Sequence, residues 1–416
     1  MTATNITPRR GLIPCVALSL LMFAGAAFAH GERAQQANLR MRTVNWYDIQ
    51  VSPVNASVGD EVVISGRLRP SKYWPEHIPG VDGRVFLNVG TSGPNFIRKS
   101  SHIDGISMVQ STALELGRDY SFELTLGARN PGRFHVHPIL SVEGAGTMVG
   151  PGRWVEIGGS SADFVNEVET MFGRKVNLET FNLNVIYTWH ALWFVIGGAW
   201  LYYWLRKRPL LIARSRVIET AQEEGRSGDE ILTPRDRNVA IGFVVVTFAL
   251  VAAGYQWAES RHPVTTPLRT AKVIVPKKDE AESNIAVTLN EAQYRIPGRS
   301  FQMSLTVENN SDTPVQVGEF STANLRFLNP AVHSLEPVDS HDLIASEGLR
   351  VEGGPIPPGA VQTLKVFAED ALWETQRLTM MINDPDSIIA GLLFFHGDDG
   401  SREIVEIGGS MLPVFN

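Results

Sequence analysis

Three histidines carry the chemistry this chain can offer. His135 and His137 stand in the run Phe134-His135-Val136-His137, and His30 follows directly on Ala27-Phe28-Ala29, a small-residue cleavage site that closes an apolar stretch. Cleavage there makes His30 the new N-terminus. A terminal histidine offers a metal two nitrogens from one residue, the α-amine and an imidazole nitrogen. The amine, with an ordinary pKa of about 8, must lose its proton to bind. Side chains alternate faces along a strand, so His135 and His137 share a face if this run is extended, roughly 7 Å apart along the chain. Pro138 marks the point where such a strand ends or bends. A bare His-x-His is an ordinary polar strand end. Joined to an exported terminal histidine, it becomes a set of three imidazoles and an amine, the nitrogen-rich donor set that Cu(II) favours, with zinc as the alternative.

The elements that must position these residues begin with an export signal. Residues 1–29 combine Arg9 and Arg10 with an apolar stretch from Leu12 to Phe23 and the small-residue site. An uncleaved anchor is the competing reading, and the apolar run is short for a full span. The arginine pair also allows twin-arginine export. Cys15, the single cysteine of the 416 residues, lies inside this leader. The exported chain therefore has no thiol for disulfides, zinc-thiolate sites, iron–sulfur clusters or thiolate-bound copper. The formal charge of −7 becomes more negative once the leader arginines are removed, which argues against nucleic acid as a partner. There is no Ser-His-Asp signature, P-loop, dinucleotide-binding motif or c-type haem motif.

Residues 30–160 read as β-rich. Glu61-Val62-Val63-Ile64-Ser65-Gly66 and Tyr120-Ser121-Phe122-Glu123-Leu124-Thr125-Leu126 give strand signals between clusters of turn residues. A sandwich or a Greek-key barrel accommodates them. Residues 161–184 form a polar connector, expected to be partly helical. Two apolar, aromatic-rich runs, 185–205 and 239–257, are each close to the ~20 residues a bilayer requires. The loop between them, 206–238, carries Arg206-Lys207-Arg208 and later Arg235 and Arg237 beside the two runs. The positive-inside rule puts this loop in the cytoplasm and both flanking regions outside, in agreement with the signal. A linker, 258–290, leads to a second β-rich region, 291–416, where Phe301–Val307 alternates before an Asn309-Asn310-Ser311-Asp312 turn and Val315-Gln316-Val317. One echo joins the two regions: Trp154-Val155-Glu156-Ile157-Gly158-Gly159 and Ile404-Val405-Glu406-Ile407-Gly408-Gly409. It suggests a duplicated β fold whose second copy did not keep a His-x-His.

The other histidines carry less. His190 lies inside the first apolar run, where an ionisable residue is a functional candidate by default, against a helix–helix or cap contact. His77 and His102 sit among loop residues, and His262, His333, His341 and His396 receive no role.

Several ordered motifs resemble the B subunit of the copper membrane monooxygenases, the particulate methane and ammonia monooxygenases. They are His30-Gly31-Glu32-Arg33, Leu39–Asp48, Phe86-Leu87-Asn88-Val89-Gly90, Pro131–His137, Gly150-Pro151-Gly152-Arg153-Trp154, Val317-Gly318-Glu319-Phe320, Asp370-Ala371-Leu372-Trp373-Glu374 and Ala390–Phe395. The resemblance implies a mainly β chain with two transmembrane helices: two exported cupredoxin-like β-sandwich domains joined by a helical hairpin. It implies copper held by the amine and imidazole of His30 with His135 and His137. It implies two membrane-embedded partner subunits, of A and C type, in a heterotrimer assembled threefold. The complex would sit in a bacterial inner or intracytoplasmic membrane with both β domains on the periplasmic or lumenal side, inserting one oxygen of O2 into ammonia or methane. Some methane-oxidising members carry a histidine at the position of Asn45 and use it in a second copper site, which should be absent or altered here. Arg33, Val44, Arg261-His262-Pro263 and Pro413-Val414-Phe415 are closer to the ammonia-oxidising members. Two functions stay open: a subunit whose copper takes part in oxygen chemistry, and a structural or copper-handling subunit with catalysis in a partner. A free copper carrier would need neither the apolar runs nor the second β region.

Overall fold

The strand alternation read in the sequence builds two β-sandwiches, and a short helix precedes the first. The computed structural model describes residues 35–170, 172–207, 211–225, 233–263, 272–277, 279, 283–296, 300–332, 343–383 and 386–415. Helix α1 (Ala37–Arg42) leads into β1 (Val44–Ser52), β2 (Asn55–Ser57), β3 (Glu61–Pro70), β4 (Val85–Gly90), β5 (Phe96–Ile103), β6 (Ile106–Ser107), β7 (Tyr120–Ala128), β8 (Gly132–Val142), β9 (Gly146–Val149) and β10 (Arg153–Gly158). One sheet runs β1-β3-β7-β5-β6 and the other β2-β10-β8-β4, with β9 also on β8. Val62 and Ile64 of β3, Phe122 and Leu124 of β7, and Val136 and Leu140 of β8 meet in one core between the sheets. Each such side chain stabilises the sandwich by about 1.5–3 kcal/mol on removal from water. Of the two architectures compatible with the strand signals, the sandwich is the one formed.

Strand β8 changes partners midway. Its first half pairs with β10, from Gly132↔Ile157 to Val136↔Arg153. Its second half pairs with β9, from Ile139↔Val149 to Val142↔Gly146, and with β4 on the opposite edge. Between β9 and β10 the chain leaves the ladder at Gly150-Pro151-Gly152, opposite the stretch that holds the two histidines.

The second sandwich contains β13 (Ile285–Ile296), β14 (Ser300–Asn309), β15 (Val315–Thr322), β16 (Leu325–Leu328), β17 (Ile344–Ala345), β18 (Leu349–Glu352), β19 (Val361–Glu369), β20 (Ile388–Gly397), β21 (Arg402–Ser410) and β22 (Leu412–Phe415). Its sheets run β18-β19-β14-β13-β22 and β17-β16-β15-β20-β21. The Asn309 turn carries the chain from one sheet to the other. Asn309 is fully buried, and its amide donates to Thr313 O and Ile356 O while its carbonyl oxygen accepts from Ser311 N. This region begins at Ile285, earlier than the expected 291, because β13 extends back to pair Ile285 with Asn309. Part of the expected linker packs on the first sandwich. Val273 and Val275 pack against the core of the first sandwich, and Val273 N donates to Ser111 O at 2.7 Å. Both sandwiches belong to one compact unit.

Residues 165–269 form the second unit. The connector holds a β-hairpin, β11 (Glu167–Glu169) with β12 (Lys175–Asn177), where helix was expected; its Val168↔Val176 pair sets the register. Helices α2 (Leu183–Lys207), α3 (Leu211–Glu223) and α4 (Pro234–Arg261) follow. The expected spans thus lengthen at both ends, and the loop between them contains α3. Helix α4 starts on a capping box in which Thr233 accepts from Asp236 N and Asp236 accepts from Thr233 N, with Pro234 in the first turn. Helices α2 and α4 run antiparallel. Tyr203 donates to Asp236, Trp200 meets Phe243 at 4.9 Å, and Trp189 lies where a side chain at position 254 would be. Among the described residues α4 alone is both long and apolar enough to cross a bilayer by length and composition. Helix α2 has the length, 25 residues, but Asn184, His190 and its many Trp and Tyr side chains lower its apolar character.

Candidate metal centre

Alternation on β8 sends Phe134, Val136 and Leu140 into the core of the first sandwich. His135 and His137 therefore share the opposite face, as the His-x-His spacing predicts. Their rings meet edge to face, with centroids 4.4 Å apart at 90°. His137 is only 5% exposed despite facing away from its own core. Its Nδ1 lies 3.0 Å from the Gly150 carbonyl oxygen. A carbonyl only accepts, so Nδ1 carries the hydrogen in this contact, and in the neutral ring that leaves the lone pair on Nε2. His135 stacks at a 39° tilt on Trp154, centroid to centroid 4.8 Å, and the Arg133 guanidinium lies 4.7 Å from the Trp154 ring centre.

The glycines at the break between β9 and β10 are what allow this arrangement. A Cβ on Gly152 would stand 2.4 Å from His137 Cε1 and 2.8 Å from His135 Cε1. A Cβ on Gly150 would stand 2.8 Å from Pro138 Cγ and 2.9 Å from Trp46 Cδ2. The sequence alone marks Gly150-Pro151-Gly152 as a turn; the structure makes it a backbone cradle laid against the two imidazoles. Trp154 and Gly152 are the site residues that sequence reasoning did not single out. The available signal was their position beside the His-x-His strand in the Gly-Pro-Gly-Arg-Trp motif.

His30 lies outside the described residues. Among the described residues no three His, Cys, Asp or Glu side chains come together as a metal site. The two imidazoles, both nitrogen donors, fit a nitrogen-liganded metal that takes its remaining donors from elsewhere.

The other histidines are placed as follows. His190 Nδ1 lies 2.8 Å from the Ile186 carbonyl of its own helix, a local backbone contact. His77 is exposed, and His102 lies 4.0 Å from Glu123. His262 stands 6.4 Å from the Phe181 ring, and His396 packs closely over Gly318. His333 and His341 lie outside the described residues. Asn45 is buried at the contact between the sandwiches, opposite Arg69 in the β1–β3 register, and its amide donates to Glu406 at 3.3 Å. Arg69 binds Asp119 through two nitrogens at 2.6 and 2.5 Å. A guanidinium has no lone pair to give a metal. Burial pushes the Glu406 carboxyl above its ordinary pKa, against the opposing pull of Ser71, Arg69 and Lys72.

Comparison with known proteins adds a family. The chain matches the family of monooxygenase B-subunit proteins over residues 31–415. It is 41% identical over 407 residues to the particulate methane monooxygenase alpha subunit of Methylococcus capsulatus, covering 97% of this chain and 96% of that one. Among solved structures it is similar to the cupredoxin domain of amoB from Nitrosocaldus yellowstonii at 18% identity, covering 29% of this chain and 91% of that one with a TM-score of 0.23. On the family match and the near full-length relative, this chain belongs to the monooxygenase B-subunit family.

Proposed function

We propose that this chain is the copper-binding subunit of a membrane monooxygenase that uses O2 to oxidise ammonia to hydroxylamine. In this reading copper is held by the amine and imidazole of His30 with the imidazoles of His135 and His137. The observation that carries it is the His135–His137 pair under Gly152, where glycine alone leaves room for both rings. Copper bound there would supply one-electron chemistry toward oxygen. The chain's own contribution is orientation. The Gly150 carbonyl fixes the His137 tautomer so that Nε2 is the donor, and Trp154 limits the tilt of His135. Gln35 is five residue steps from His30, a reach of at most roughly 17 Å. Gln35 Oε1 accepts from Val149 N at 3.1 Å, one residue before the carbonyl that binds His137.

Methane is the second substrate reading, favoured by the similarity to the methane monooxygenase subunit of Methylococcus capsulatus. The ammonia reading rests on Arg33, Val44, Arg261-His262-Pro263 and Pro413-Val414-Phe415. The alternative role, copper for structure or handling with catalysis in a partner, uses the same ligands. The apolar helix α4, the leader and the cationic residues near both helices support a membrane setting with both sandwiches on the periplasmic or lumenal side. Two membrane-embedded partners, of A and C type, would complete a heterotrimer assembled threefold.

The test joins N-terminal sequencing of the purified protein to its copper content. The expected result is a start at His30 and bound copper that is lost in the His137→Ala protein. Loss of turnover with the complex still assembled would make the copper catalytic; loss of assembly would make it structural. A start elsewhere, or unchanged copper in the variant, would overturn the site. Oxidation rates for ammonia and methane in the same membranes decide the substrate.

A further inference from the structure

The chain between the expected terminal ligand and β1 does not belong to the first sandwich alone. Ala37 and Met41 of α1 are buried in the hydrophobic core of the second sandwich, beside residues such as Trp373, Leu378 and Met381. Arg40 donates to the Gln376 carbonyl of that sandwich. Arg42 bridges the two: its Nε donates to Tyr73 O of the first sandwich at 3.0 Å, and its Nη1 to Asp386 of the second at 2.6 Å. At the other end of the segment, Gln35 returns to the first sandwich. Its amide donates to Thr147 O and its carbonyl oxygen accepts from Val149 N. Asn324 of the second sandwich donates to Val149 O at 2.9 Å, so both sandwiches hold the same stretch of β9. A six-residue helix has too few hydrogen bonds to be stable in water by itself. Its conformation depends on the surface that receives Ala37 and Met41.

We propose that the second sandwich is a positioning device for the metal site of the first: by docking α1 it fixes the N-terminal segment at β9, so that residue 30 is delivered to His135 and His137. This rests on the ligand set proposed above and deepens it. The physical content is tether length. With Gln35 held beside Gly150, chain length alone keeps residue 30 within roughly 17 Å of that point; with α1 released, the nearest fixed point is β1, the limit lengthens, and the effective concentration of the terminal donors falls. It also gives the second sandwich, which has no three-ligand cluster among its described residues, a part in metal binding.

The experiment uses the full chain in the assembled complex. Copper affinity is measured by competition with a chelator, and the nitrogen couplings of bound Cu(II) by electron paramagnetic resonance. Two variants are compared with the parent: Gln35→Ala, which removes only the pin on β9, and Met41→Ala, which weakens the docking of α1. Copper affinity is expected to fall about tenfold in Gln35→Ala, the lower end of what supporting residues of metal ligands cost. Nitrogen coupling is expected to weaken while thermal unfolding stays that of the parent. Met41→Ala should lower affinity at least as much. If Met41→Ala does not fold, Gln35→Ala decides alone. Parental affinity and spectrum in the variants, with copper still lost in His137→Ala, would overturn the positioning role and leave the site standing. Copper retained in His137→Ala would overturn the site and this inference with it.

Discussion

In the first sandwich β10 pairs with β8 so that Trp154 lies opposite His135. In the second, β21 pairs with β20 so that Ile404, at the head of the matching Val-Glu-Ile-Gly-Gly run, lies opposite Phe394. The shared register carries the rest of the comparison. His137 corresponds to His396, Gly152 to Arg402, and Glu156 to Glu406. On the first pair of strands the outward face holds two imidazoles under a glycine. On the second it holds Phe394, packed edge to face on Tyr47 of the first sandwich at 6.1 Å, and Arg402, bound through two nitrogens to Asp48 of the first sandwich at 2.9 and 2.5 Å. Asp48 sits at the bulge of β1 with φ of 53°, and the bulge aims its carboxylate at Arg402. Glu156 is exposed, whereas Glu406 is turned toward Asn45 and Lys72 of the first sandwich. The same surface presents two imidazoles in one sandwich and an interface in the other, and the exchanges of His135 for Phe394 and Gly152 for Arg402 set the difference.

The sharpest way to break this comparison is Phe394→Ala. Phe394 is 2% exposed and shares a small cluster with Tyr47 and Leu392. Truncation should cost about 3–5 kcal/mol, read as a lowered denaturation midpoint of the full chain. A loss under about 1 kcal/mol would mean the sandwiches are held together elsewhere. Next comes Gly152→Ala on the ligand face. The added methyl must displace both imidazoles, at a cost of about 1–3 kcal/mol in packing. Copper content should drop in a chain that still folds; full copper would remove glycine from the account of the site.

The smallest effect is expected from Glu406→Gln, and it is the one with a pH signature. Burial raises the folded-state pKa of Glu406 above its ordinary value. A raised carboxyl contributes stability that is fully present below the unfolded pKa and is lost as pH rises through the folded one. The glutamine variant should therefore be more stable than the parent at neutral pH, and that advantage should vanish under acid conditions below the ordinary carboxyl range. Denaturant midpoints at pH 7 and pH 3 check it. An equal difference at both would show that the carboxylate's charge is not what the interface opposes.

Much of this was legible in the sequence for a local reason. The face shared by His135 and His137 follows from strand alternation, and the Val-Glu-Ile-Gly-Gly echo named the two strands that turn out to be equivalent. The strand signals at 61–66 and 120–126 fall inside β3 and β7. What could not be read is non-local. The docking of Ala37 and Met41 in a core built from residues some 250 to 370 positions later leaves no periodic trace in a six-residue helix. Val273 and Val275 read as linker because their partners lie in the first sandwich. The β11–β12 hairpin, three residues per strand, is too short for alternation to mark it. The apolar runs at 185–205 and 239–257 were visible as helices, but their composition differs: α2 carries many Trp and Tyr side chains, where α4 is richest in Val and Ala.

The chain leaves the sandwich unit after Phe164 and returns to it by Val273, whose backbone is hydrogen-bonded to Ser111 of the first sandwich. Exit and re-entry are thus on the same body, whose two sandwiches meet through Tyr47, Phe394, Asp48 and Arg402, and such a body cannot straddle a bilayer. Any path through lipid between those points has an even number of crossings. If α4 crosses, one further segment of 165–233 must cross with it, and α2, at 25 residues and about 37 Å of helix, is the described element long enough to do so.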